Sequence, residues 1–192
     1  MDPYHIALFV HMVTLAVAGS VTAMVKLAAA RRIQARTVGE ALEWHNMMAS
    51  AAKVFPVCLV SFTTTGFYML SFTGGAHLSA GYVDAGLLGV ILLLASGTYL
   101  GIKGAGLKRI LEGAVARDPD AAPTRIMPPV AVRLLPVINT GIAIGVAFVM
   151  VAKPASIPVA LGIVALGGLI AAVGAARQRA PRPAGVTRTA AR

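Results

Sequence analysis

The chain has 192 residues, of which 57% are hydrophobic and 12% charged, with a mean hydropathy of +0.79. A soluble domain carries about 25% charged residues, so this composition excludes an ordinary water-soluble fold and makes lipid the solvent. The net charge of +10 would suggest nucleic acid in a soluble protein, but the positive residues cluster between apolar runs, which excludes that partner as well.

Residues 4–28 form the first predicted span. Asp2-Pro3 is a helix start, a capping acid followed by a ring that pre-sets φ. The residues that follow carry no charge until Lys26, long enough to cross a hydrocarbon core of about 30 Å. No basic region precedes this stretch, so it is expected to remain in the mature chain rather than act as a signal peptide. His11 lies inside the span and shares a helix face with Thr14, Ala18, Gly19, Thr22 and Lys26. Small and hydroxylated residues mark a packing face, and an ionisable group there turns toward the bundle interior.

The second span is expected at 50–72, with a helical lead-in. Thr37 and Glu40 have capping-box spacing. Trp44, Met47, Met48 and Ala51 then read as the apolar side of an interfacial segment, and Pro56 is expected to kink the helix. A polar stripe runs along this helix through Asn46, Ser50, Lys53, Ser61, Thr64, Tyr68 and Ser71. It reads either as hydroxyl packing between helices, with Lys53 reaching the interface, or as the lining of a water-filled path.

The following loop contains His77 and Tyr82, and Asp84 suits the cap of a third helix at 84–102. That helix is expected to continue through Arg109 and Glu112, one turn apart, until the Asp118–Pro123 segment breaks it. The fourth and fifth spans, 134–152 and 157–176, make a hairpin across Lys153. Asn139 and Thr140 follow Pro136 by one turn and are placed to satisfy the carbonyl that the proline frees. Gly141 and Gly145 form a small-xxx-small pair suited to close helix contact. The expected fold is therefore all-α, an integral membrane bundle of about five transmembrane helices over residues 1–176. Residues 177–192 are a basic, disordered cytoplasmic tail suited to anionic lipid heads.

Charge orients this map. With the N-terminus outside, the cytoplasmic segments hold Arg31, Arg32 and Arg36, the group from Lys103 to Arg133, and five arginines after the last span. These are fourteen of the 17 basic residues. The outer loops hold only Lys153, so the positive-inside rule places the C-terminus in the cytoplasm of a plasma-membrane protein.

Candidate chemistry is sparse. His11 could serve as an axial ligand of haem b, as a proton relay or metal ligand, or as a neutral imidazole bonded across a helix contact. His45 sits on the opposite side of the membrane from His11, about 40 Å from the outer end of its own helix, and the later spans hold no histidine. A second haem ligand would come from Met69, from His77 or from another subunit. His5 and His77 share the outer level with Asp2 and Asp84 and could hold zinc or copper. There is no phosphate-binding glycine loop, no HExxH and no GxSxG, and no motif supports an enzyme.

Two stretches have a familiar look, HIALFVHMVTLAVAGSVTA near the N-terminus and TTTGFYML at Thr63–Leu70. They resemble the first and second helices of the copper-resistance D-type proteins and of a group of predicted bacterial integral membrane proteins. The resemblance covers under half of the chain and implies a bundle in the inner membrane with haem or copper association through His11. The chain departs from a haem-protein pattern in lacking histidine in its later spans. Four functions follow as expectations: an accessory or assembly subunit of a larger membrane complex, with other subunits or self-association as its contacts; a haem- or copper-linked redox protein using His11; a small-solute or ion transporter using the polar face of Lys53, Ser61, Thr64, Tyr68 and Asn139; and, with no motif in support, an enzyme acting on lipid or isoprenoid.

Overall fold

The computed structural model describes residues 2–72, 81–123 and 130–177. Within them lie six helices: α1 (Pro3–Gln34), α2 (Val38–Ala52), α3 (Val54–Ser71), α4 (Gly81–Val115), α5 (Val130–Ala152) and α6 (Ile157–Arg177). Helices α2 and α3 form one nearly continuous apolar unit, so the described residues contain five helices long and apolar enough to cross a membrane. The outward surface is what lipid requires. Phe9, Val57 and Val151 are 68–83% exposed, among many other large apolar residues on the exterior, a distribution that water would not tolerate.

Local signals explain the helix ends. The Asp2 carboxylate accepts from the Tyr4 amide at 3.0 Å, and Pro3 occupies the first helical position, where its missing N–H is harmless. Thr37 Oγ1 accepts from the Glu40 amide at 3.2 Å. The Glu40 carboxylate reaches back to the Arg36 amide at 2.8 Å, one residue earlier than a standard capping box would have it. The break between α2 and α3 falls at Lys53. Pro56 causes it from three residues downstream, because its ring displaces the carbonyl four residues back and it has no N–H to give.

Two details differ from the sequence-based expectation. Helix α4 begins at Gly81, which puts Asp84 in its first turn rather than at its cap. Glu112 pairs with Lys108, at 3.5 Å, rather than with Arg109. The i, i+4 spacing brings those two side chains together.

The helices fall into two groups. Helix α1 packs on α2 and α3, α4 packs on α5 and α6, and the substantial contact between the groups is α2 against α4. Two small cores mark opposite ends of this arrangement. One gathers Ala35, Val38, Ala41 and Leu111 at the basic end. There the chain after α4 also folds over the start of α2, with the Ala121 carbonyl accepting from the Val38 amide at 3.0 Å and the Pro119 carbonyl from Gly39 at 3.1 Å. The other core gathers Ala85, Val149, Ala160 and Val164. At 1.5 Å per residue, α1 and α4 are each about 50 Å long, well beyond a hydrocarbon core of about 30 Å. Aromatic rings collect at the end away from the arginines, where Tyr4 and Tyr68 both meet Phe72 edge-on.

Helices α5 and α6 approach most closely through glycine. Gly141 lies against the backbone of Gly167, and a Cβ on Gly145 would stand 2.9 Å from the Val164 Cα. In α5, Thr140 donates to the carbonyl of Pro136 itself at 2.9 Å, not to the Val132 carbonyl that the proline frees. The α5–α6 turn places Lys153 in the left-handed region, φ 47°.

Gly141→Ala is expected to push α5 from α6 and to destabilise the bundle by about 1–3 kcal/mol. Gly162→Ala, on the open side of α6 with nothing within 4 Å, should be neutral or stabilising by up to about 1 kcal/mol. Unfolding of both variants in matched detergent micelles checks the contrast.

Candidate functional site

The polar side chains form two constellations. The first is the seam between the antiparallel helices α1 and α3. Helical spacing turns His11 and Thr14 to one side of α1, and Cys58, Ser61, Phe62 and Thr65 to one side of α3. His11 Nδ1 lies 2.8 Å from Thr65 Oγ1, and the ring stands edge-on to Phe62 with centroids 4.9 Å apart. One turn further on, Thr14 Oγ1 lies 2.8 Å from Ser61 Oγ. Both threonines also donate to their own helices, Thr14 to the Val10 carbonyl and Thr65 to the Ser61 carbonyl. Thr65 Oγ1–H is thereby committed, so Nδ1–H of His11 is the donor of the pair and Nε2 carries no proton in the neutral ring. Met69 follows Thr65 by one turn on the same face of α3 and is half-buried.

The predicted polar stripe divides at this seam. Ser61 turns into it. Thr64 and Tyr68 are exposed and line a shallow groove beside it, shared with Pro3, Ile6 and Val10. Lys53 is exposed at the break between α2 and α3. Asn139 lies apart on α5, with its Oδ1 buried and unpartnered among the described residues. His5 is exposed and lies 3.2 Å from the Asp2 carboxylate one turn before it. His77, proposed as its companion, lies outside the described residues. Among the described residues no three His, Cys, Asp or Glu side chains converge as a metal would require.

The second constellation is at the basic end. His45 is 2% exposed, the largest fully buried side chain among the described residues together with Val149. Its position on α2 follows from Val38 and Ala41, which share its face and pack against Leu111 of α4. Of the apolar side read in the sequence, Ala51 is buried while Trp44, Met47 and Met48 are half-buried, so the inward face of α2 runs through Val38, Ala41, His45 and Ala51. Arg32, near the end of α1, brings a guanidinium nitrogen to 3.1 Å from His45 Nδ1. On its other side the ring meets the Gly104 backbone of α4.

The chemistry of this contact is constrained. Arginine has only donors, so His45 Nδ1 must be bare and must accept. The ring proton then sits on Nε2, where the Gly104 carbonyl can take it. One imidazole thus ties α1 to α4 through α2. Sequence spacing passes over His45 because a lone histidine carries no partner signature; the one available hint is that it shares the i, i+3, i+7 face of Val38 and Ala41.

No known protein family, curated protein or solved structure matches the chain. The residues must therefore be read on their own chemistry. Each constellation joins helices.

A double-mutant cycle on His11→Phe and Thr65→Val should give a coupling of about 0.6 kcal/mol, and no more than about 1.7 kcal/mol, the range for hydrogen bonds between membrane helices. Reversible unfolding in bicelles measures it. A coupling near zero would remove the His11–Thr65 bond from the account of the seam.

Proposed function

We propose that this chain is a multi-pass inner-membrane protein that serves as an accessory or assembly subunit of a larger membrane complex. Its N-terminus faces outward and its basic end faces the cytoplasm. The observation that carries this reading is the state of its small-residue faces. On α1, Ala16, Gly19 and Ala23 are exposed in one line, and on α4, Gly97, Gly101 and Ala105 form another. Nothing stands within 4 Å of a Cβ placed on Gly19, Gly66, Gly97 or Gly101. Inside α5 and α6 the same residue type serves the closest helix approach in the fold. Small residues allow membrane helices to approach closely because dispersion and short backbone contacts replace a hydrophobic driving force. Open lines of them are suited to further helices.

The polar groups support the same reading. Thr14, Ser61, Thr65 and His11 are engaged with one another, and Ser20, Thr22 and Thr98 donate to carbonyls of their own helices. Orientation rests on the concentration of Arg31, Arg32, Arg36, Lys103, Lys108 and Arg109 at one end of the long helices α1 and α4.

Mild-detergent purification from the native host should return the chain with other membrane proteins at fixed stoichiometry. Gly97→Leu with Gly101→Leu should strip them while leaving the chain itself folded. Recovery of a lone monodisperse species before and after the substitutions would end the subunit reading. Tags at the two termini test the orientation, with the N-terminal tag expected to be reachable from outside intact cells.

A redox role is the second reading, and the unprotonated Nε2 of His11 favours it. With Nδ1–H held by Thr65, Nε2 is the nitrogen open to a haem iron or copper ion, and Met69 continues the same seam with a thioether. A bound metal centre would supply one-electron chemistry there. Reduced and oxidised absorption spectra of the purified protein decide it: a haem band lost in His11→Ala is the expected result, and a band that persists in that variant assigns the haem elsewhere.

A further inference from the structure

The two helix groups meet at a buried histidine whose hydrogen bonds exist in one protonation state only. We propose that His45 is a pH-sensitive latch, which holds α4 against α1 and α2 while its ring is neutral and releases it when the ring takes a second proton.

Nδ1 accepts from Arg32 at 3.1 Å, and an arginine cannot reverse that bond because it has no lone pair to offer. With Nδ1 bare the ring proton sits on Nε2, and the Gly104 backbone that meets the ring offers a carbonyl that can only accept. A neutral ring satisfies both neighbours. A ring with a proton on each nitrogen sets an N–H against the guanidinium, loses the α1 bond and brings two positive charges into contact. The ring is 2% exposed, so water cannot separate the charges without parting the helices.

The remaining charges do not rescue it. Three charged side chains act on the ring: Arg32 from α1, and Lys108 and Glu112 from α4. Two of these are cations. The third, Glu112, is 3.5 Å from Lys108 and half-exposed, which leaves it screened and already paired. Helix α3, also packed on α2, adds no charge to the ring among the described residues.

Position makes the latch consequential. The substantial contact between the α1–α2–α3 group and the α4–α5–α6 group is α2 on α4. Beside His45 the contact is held by the Ala35, Val38, Ala41 and Leu111 core, with Leu42, Leu107 and Val115 against it, and by two backbone bonds from the 119–121 segment. The sign is fixed by linkage. The open arrangement binds the additional proton, so closure is favoured at higher pH and lost as the solution becomes acid.

The test uses the full chain in lipid nanodiscs, with Cys58→Ala and spin labels on cysteines replacing Ile33 of α1 and Ile110 of α4, both exposed. As pH falls from about 7.5 to about 5, the label separation should widen, with the ratio of closed to open changing by at most about tenfold per pH unit for one proton. His45→Gln offers an acceptor to Arg32 and a donor to Gly104 without titrating. It should stay closed throughout that range. A wild-type distance that ignores pH overturns the latch, and so does an acid response that survives His45→Gln. Nitrogen NMR of labelled imidazole in the unsubstituted chain gives a second reading that needs no variant. His45 should show a bare Nδ1 at neutral pH and gain its second proton over the same interval as the widening, and a proton on Nδ1 at neutral pH overturns the proposal.

Discussion

Among the described residues, the substantial contact between the two helix groups is α2 on α4, at the place where Arg32 of α1 reaches His45. The apolar part of that meeting is a small core of Ala35, Val38, Ala41 and Leu111, with Leu42, Leu107 and Val115 half-buried against it. Two of its four buried members are alanines, which bury little area and at about 25 cal/mol per Å² contribute modestly. The hydrogen bond from Arg32 adds to this core, since a bond to a charged donor is worth about 1.5–3 kcal/mol. A half-buried cation and a buried imidazole would each be costly alone. Each is tolerated because the other completes it.

The same rule governs the middle of the membrane on a smaller scale. At the α1–α3 seam the polar groups have partners within the protein: His11 with Thr65, Thr14 with Ser61, and Thr14 and Thr65 each with a carbonyl of its own helix. Lipid offers no alternative partner, so a hydroxyl on a membrane helix either folds back onto its own backbone or seeks a neighbouring helix. That constraint is what brings α1 and α3 into register. Helices α5 and α6 solve the problem differently. They carry almost nothing polar at their contact and rely on backbone proximity at Gly141, Gly145 and Gly167.

These two solutions differ in how far they can be read from the sequence. Local devices are legible because their physics is local. The Asp2 cap, the Thr37–Glu40 pair, the interruption upstream of Pro56 and the Gly141–Gly145 spacing each involve residues within a turn or two of one another. The five apolar lengths are legible for a similar reason, since a hydrocarbon thickness selects them directly. Pairings between distant segments are not. Helical spacing makes His11 face a neighbour but says nothing about which one, and Thr65 stands 54 residues away. Glu112 has two cations within helical reach, and only the side-chain geometry selects Lys108 over Arg109. His45 is the extreme case. It sits in a segment rich in charge and capping residues, which reads as a surface helix. Its burial arises from α4 continuing past the membrane by enough turns to cover it.

That last point links fold to function. Had α4 stopped at the bilayer surface, the α1–α2–α3 group would have little to hold it to the α4–α5–α6 group. The long α4 and the long α1 extend the protein beyond the hydrocarbon at the end where the arginines lie, and there α2 is clasped between them. The proposed subunit role, in which the open glycine faces accept other helices, would be served by such an arrangement. The membrane portions of the two groups can adjust to a neighbour while the junction outside the lipid keeps them together. The strength of that junction depends on a single proton, and so on which side of the membrane His45 samples.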